Sequence, residues 1–259
     1  MTGNDLKCLK TWFAEYVSNF YSDDHDCNHC IRLKEKHTNR VCSNITMLGK
    51  KLGITEHDMI LAETMALFHD IGRFKQYAVY HTFNDFASEN HARLGLRQMA
   101  IHGVLSACST AEKRLITRSI AYHNAAVLPA NEDDNNLFFM RLLRDADKLD
   151  IWKLFIDYYN EREKNHNPAV ELGLPDDPVC SQQVIESLHQ KRFVRSQDLK
   201  TLNDFKLLQI SWVYDINFVP SFQTIQNRKY IEKLEKILPQ SKEIKKAVQY
   251  AHDHVNSFL

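Results

Sequence analysis

The chain has 259 residues, enough to bury a sizeable core. Lys+Arg and Asp+Glu both number 33, so the formal net charge is zero, and no global basic field exists to hold nucleic acid or an anionic membrane. No stretch reaches the ~18 apolar residues of a membrane span, and the opening MTGNDLKCLKTWFAEYVSNF lacks the continuous apolar run of an export signal, so a cytoplasmic location with reduced thiols is expected.

Seven glycines and six prolines leave few tight turns, and the apolar spacing is helical almost throughout. A first helix is expected at about 6–21, followed by a polar loop containing His25-Asp26. Val41, Ile45, Leu48 and Leu52 then share one face of a helix, with Gly53 placed to close it. Thr55, with Asp58 three residues on, starts the next helix, which carries Ile60, Leu61, Met65, Ala66 and Phe68 and ends at Gly72. Further helices are expected at about 87–107, 110–124, 135–160, 180–192, 199–217, 221–238 and 241–257. No period-two strand pattern occurs, so the fold class is all-α. The stretch EREKNHNPAVELGLPDDP is polar and contains proline. It divides the chain into a helical core with its N-terminal helix over 1–160, a surface loop over 161–180, and a C-terminal helical extension over 181–259 packed on the core.

Histidine, at 13, stands out, because imidazole is the commonest metal ligand. His-Asp occurs at His25-Asp26, His57-Asp58, His69-Asp70 and His252-Asp253, so the dipeptide alone says little. Only His69-Asp70 follows a strongly apolar helix, AETMALF, and precedes Ile71-Gly72-Arg73. Two polar groups at the inner end of a buried helix need partners, and a metal ion satisfies both. His37, His91, His123 and Asp147 also sit at core-type positions of other helices. Inward ligands on facing helices are a way for a bundle to build a dinuclear site. Cys27 and Cys30 have C-x-x-C spacing with His25 and His29 nearby, but a second ligand pair is missing, so the segment is not read as a zinc site.

In order, HTNRV, LFHDIGRF, SENHARLG, AYHN and RDADKLD resemble the motifs of HD-domain phosphohydrolases over roughly residues 30–160. The resemblance implies an HD-type helical bundle with core metal ligands His37, His69, Asp70 and Asp147. His91 and His123 match the branch of the family that holds two metals. In its ligand set the chain is similar to bacterial hydrolases of diadenosine tetraphosphate. It is also similar to cyclic-dinucleotide phosphodiesterases of the HD-GYP type, although it has no GYP motif. The implied cofactor is a divalent transition metal, one or two ions of Fe, Mn, Zn, Ni or Co. The implied reaction is hydrolysis of a phosphoester or phosphoanhydride in a small nucleotide-like molecule by metal-activated water.

Asp70 can bridge two ions, and Arg73 with Lys148 can stabilise charge on a phosphoryl group. Lys34 is a further cation for substrate. Asp85 either supports a ligating histidine or faces substrate. Arg144 is read as orienting a carboxylate, and Asp150 as a local pairing partner. Two rival readings are an HD-fold di-iron oxygenase and a non-catalytic metal or nucleotide sensor. Neither nucleic acid nor membrane is expected as a partner, and self-association into a homo-oligomer is left open.

Overall fold

The computed structural model describes all residues except 165 and 169. Among the described residues the regular structure is helical, with no strand. None of the helices is long and apolar enough to cross a membrane. The chain forms two compact units, Met1–Asp150 and Ile151–Leu259.

The first unit begins with α1, Gly3–Ser18, capped by a reciprocal pair of hydrogen bonds between Thr2 and Asp5. The second helix, α2, spans His25–Leu52. It starts earlier than its apolar stripe suggests, because the Asp24 side chain accepts from the backbone N–H groups of Asp26 and Cys27. The polar segment around His25-Asp26, expected as a loop, is therefore the first turn of this helix. Gly53 ends α2 in the left-handed conformation, φ 68°. Thr55 then caps α3, Glu56–Phe68, a device worth about 1 kcal/mol.

The helix expected to end at Gly72 is shorter, and a further helix that the sequence pattern does not predict follows it. α3 stops at Phe68 and α4, Ile71–Tyr80, restarts after Asp70, whose backbone sits at φ −105°, ψ 12°. That conformation lies in the sparsely allowed bridge region. The step turns His69 and Asp70 into the interior, where they are 0% and 3% exposed. Gly72, expected as a terminator, instead lies inside α4 against α5, His91–Ile101. A Cβ on Gly72 would stand 2.2 Å from the His91 carbonyl oxygen and 2.6 Å from the Gly95 nitrogen. Glycine at both positions lets the two helix backbones touch.

Residues 82–90 are not helical, so α5 starts later than expected. α6, Thr110–Tyr122, has a Ser109–Glu112 capping box. α7, Asp134–Glu161, is a single helix of 28 residues, and the boundary between the two units falls within it. Around buried polar side chains such as His69 and Asp70, the first unit packs an apolar core, with Phe68, Phe74, Ile45, Leu48, Met65, Ile116 and Phe139 all buried.

The second unit contains the end of α7 and α8 (Gln182–His189), α9 (Leu202–Ser211), α10 (Val219–Arg228), α11 (Tyr230–Glu235) and α12 (Lys242–Asn256). Two helices expected as continuous are interrupted. The 199–217 stretch holds α9 and then a tight turn of helix at Trp212–Asp215, while Lys229 at φ 54° separates α10 from α11. Trp152 anchors this core. Its ring stacks on Tyr230 at 5.7 Å and meets Trp212 edge-on at 5.8 Å, and its Nε1 donates to the Gln209 carbonyl at 3.0 Å. α12 buries Ile244, Ala247, Val248, Ala251 and Val255, the three- and four-residue steps of an amphipathic helix.

Candidate metal centre

All six candidate ligands lie in the first unit and are buried: His37, His69, Asp70, His91, His123 and Asp147. His37 projects from α2, His69 and Asp70 from the α3–α4 step, His91 from the first turn of α5, His123 from the end of α6, and Asp147 from α7. His37, His69 and Asp70 form one group whose ligand atoms lie close enough to hold an ion, and Asp70, His91 and His123 form another. Asp70 belongs to both. Its Oδ2 is 3.5 Å from His37 Nε2 and 3.8 Å from His69 Nε2, whereas its Oδ1 is 3.3 Å from His91 Nε2 and 3.8 Å from His123 Nε2. Asp147 joins the first group through Oδ1, at 3.1 Å from His37 Nε2 and 3.5 Å from His69 Nε2.

The hydrogen bonds behind the rings show what the cluster is built for. A neutral imidazole carries its proton on one nitrogen and a lone pair on the other. His37 Nδ1 faces Asp150 Oδ2 at 2.7 Å, and His69 Nδ1 faces the Ala66 carbonyl at 2.8 Å. His91 Nδ1 faces Asp85 Oδ2 at 2.7 Å, and His123 Nδ1 faces the Ile120 carbonyl at 2.7 Å. Each partner is an acceptor, so this network assigns every ring proton to Nδ1. Four Nε2 lone pairs are left to converge. They meet at 3.3 Å between His37 and His69 and at 3.0 Å between His91 and His123, beside two carboxylates. Asp147 Oδ1 is buried without a hydrogen-bond donor. An interior this rich in lone pairs is satisfied by cations. The nitrogen and carboxylate donor set, without a thiolate, fits a divalent transition ion.

Electrostatics follow the same geometry. Burial works against charge on Asp70, but Lys34, His69, Arg73 and His91 outweigh it and hold the carboxyl well below its usual range. Burial likewise opposes charge on Asp147, and His37 and His69 overcome it. Burial and Lys34 work against a proton on His37, yet Asp147 and Asp150 raise its pKa. Burial, with Arg73, lowers His91, and burial, with His91 and His69, brings His123 down to about 3. His91 and His123 are thus poised as neutral ligands at pH 7.

The candidate cations are distributed unevenly. Lys34 Nζ lies 2.7 Å from Asp70 Oδ2, and Arg73 Nε lies 3.4 Å from Asp70 Oδ1. Both stand over the Phe83 ring, Lys34 Nζ at 5.5 Å and Arg73 Cζ at 6.0 Å from its centre. Lys148 is buried next to Asp147 on α7. Asp85 is occupied by protein: it accepts from His91 Nδ1 at 2.7 Å, from Arg73 Nη1 at 3.0 Å, from Gln76 Nε2 at 2.9 Å and from Asn124 Nδ2 at 3.2 Å. Arg144 reaches backbone rather than only side chains, donating to the carbonyls of Tyr122, His123 and Ala125 at 3.1, 3.2 and 2.5 Å. It thereby ties down the end of α6 that carries His123.

Four residues that brace the cluster carry little signal in the sequence. Asp150 and Arg40 form a bidentate pair, at 2.5 and 3.0 Å, behind His37. Gln76 and Asn124 brace Asp85. The signal for the first pair was present. Arg40 follows His37 by three residues, as Asp150 follows Asp147, so each lies one helical turn from a ligand. Gln76 and Asn124 gave no comparable signal.

Residues 35–152 match the family model of the HD domain. No curated protein and no solved structure matched the chain. The matched segment contains all six candidate ligands together with Arg40, Asp85 and Asp150. Residues 35–152 therefore form an HD domain.

Proposed function

We propose that the chain hydrolyses a phosphoester or phosphoanhydride bond in a small nucleotide-like molecule, at a centre of two divalent transition ions. His37, His69 and Asp147 would hold one ion, His91 and His123 the other, and Asp70 would serve both. The supporting observation is the division of Asp70, with one oxygen toward each histidine pair. When bound, such ions supply positive charge for phosphoryl oxygens and lower the pKa of water to roughly 7.

The protein contributes the remainder. Lys34 and Arg73 lie along the Asp70 edge and are placed to bind phosphoryl oxygens, with Phe83 beneath both. Lys148 is proposed as a third cation, to be tested by substitution. Asp85 and Asp150 fix the tautomers of His91 and His37 and so keep their Nε2 atoms free for ligation. In this reading Asp85 serves a histidine rather than the substrate.

The test is a screen of protein loaded separately with Mn, Fe, Zn, Ni and Co against nucleotides, dinucleoside polyphosphates and simple phosphate esters, with and without dioxygen. Hydrolysis in the absence of dioxygen, lost in Asp70→Ala, is the expected result. A strict need for dioxygen would replace the hydrolase by an oxygenase, and ligand binding without turnover would replace it by a sensor.

A further inference from the structure

Among the described residues, the two most exposed large apolar side chains are Phe86, 83% exposed, and Val127, 78% exposed. Both stand on loops that carry the His91–His123 half of the cluster. Phe86 directly follows Asp85, which holds the His91 ring. Val127 comes three residues after Asn124, which follows His123 and donates to Asp85 Oδ2 at 3.2 Å. The Asp85–Asn124 contact thus joins the two loops close to the ligands, and each loop leaves an apolar side chain in water.

The first of these loops is pinned. Phe86 N donates to Asn84 Oδ1 at 2.9 Å, and Ser88 Oγ donates to the Asn84 carbonyl at 2.7 Å. Gln76 Nε2 reaches Ser88 Oγ and the Glu89 carbonyl, both at 2.9 Å. The ring is therefore presented by a braced backbone, and it forgoes the gain that burial would bring. An aromatic ring left in water on a pinned loop, one residue from the carboxylate that holds His91, suits a flat π-system as its partner.

We propose that Phe86, aided by Val127, is a specificity-determining residue that stacks on the nucleobase of the substrate. This rests on the hydrolase reading above and adds the part of the substrate remote from phosphate. Base–aromatic stacking tolerates any base, since every base has a π-face, so the preference would be for a base over no base rather than for one base over another.

The experiment compares wild type, Phe86→Ala and Phe86→Trp, loaded with Mn, on adenosine monophosphate and on glycerol 2-phosphate, which has no ring. Phe86→Ala should raise KM for the nucleotide about tenfold with kcat nearly unchanged, and should leave glycerol 2-phosphate untouched. Phe86→Trp should retain nucleotide binding. Equal effects on both substrates, or none on either, would overturn the proposal. If wild type turns over neither compound, the hydrolase reading is decided by the wider screen above, and calorimetric titration with adenosine monophosphate decides the matter for Phe86. About tenfold weaker binding in Phe86→Ala supports the stacking role, and equal binding rejects it.

Discussion

Asp150 Oδ2 lies 2.7 Å from His37 Nδ1, and the same carboxylate is gripped by Arg40. A carboxylate behind a ligand imidazole fixes its orientation and raises its basicity. Asp150→Ala should therefore weaken metal binding about 10–100-fold while all six proposed ligands remain. Competition titration with a coloured chelator measures this, and unchanged affinity would show Asp150 to be structural only. Arg40→Ala should act in the same direction, more weakly, because the His37–Asp150 contact survives it.

Asp70→Ala removes the carboxylate common to both ligand groups. Bound metal should fall to background, and hydrolysis with it. Elemental analysis of protein purified without chelator gives the first number and a phosphate-release assay the second. A fully active variant would reject the proposed centre. His123→Ala removes a ligand from one group only and should leave some metal bound.

Gly72→Ala tests the close approach of α4 and α5. The new methyl group would meet backbone atoms of His91 and Gly95, which cannot rotate aside. Overpacking of this kind costs about 1–3 kcal/mol. Because the obstructed atom belongs to His91, metal affinity should fall together with the denaturation midpoint. A variant of wild-type stability and affinity would mean that the two helices separate freely.

Glu171, in the second unit, offers a pH-dependent test. It is 3% exposed and bonded by Arg162, by Tyr158 at 2.7 Å and by His166 at 3.1 Å. Burial opposes its charge, but the Arg162 and Tyr158 contacts prevail and its pKa falls below the ordinary 4.5. A carboxylate whose folded pKa is depressed stabilises the fold above its unfolded pKa, and this is lost as pH drops through the folded value. Glu171→Gln should lower stability near pH 7 by about 1–3 kcal/mol, and the deficit should shrink steadily below about pH 4.5. Urea denaturation at several pH values follows it. A deficit independent of pH would assign the effect to packing.

The clustering of the candidate ligands is legible in the sequence because each interrupts an apolar helix face, where a polar residue is conspicuous. His69 and Asp70 after AETMALF are the plainest instance. The all-α class was legible for a related reason, the dominance of three- and four-residue spacing. What stayed hidden depends on contacts between segments distant in the chain. Nothing local marks Asn124 as a partner of Asp85, 39 residues away. Nor does Gly72 reveal whether it ends a helix or allows another helix to approach, since both uses exploit the missing Cβ. α4 is hard to predict because Gly72, a natural helix end, falls in its first turn. The start of α2 is hidden for another reason: its first turns are polar and owe their helicity to the Asp24 cap.

The two faces of Asp70 make the histidine groups unequal under substitution. A change at His123 takes a side chain from one group and leaves the His37–His69–Asp70 group whole. A change at Asp70 strips an oxygen from both groups with a single codon.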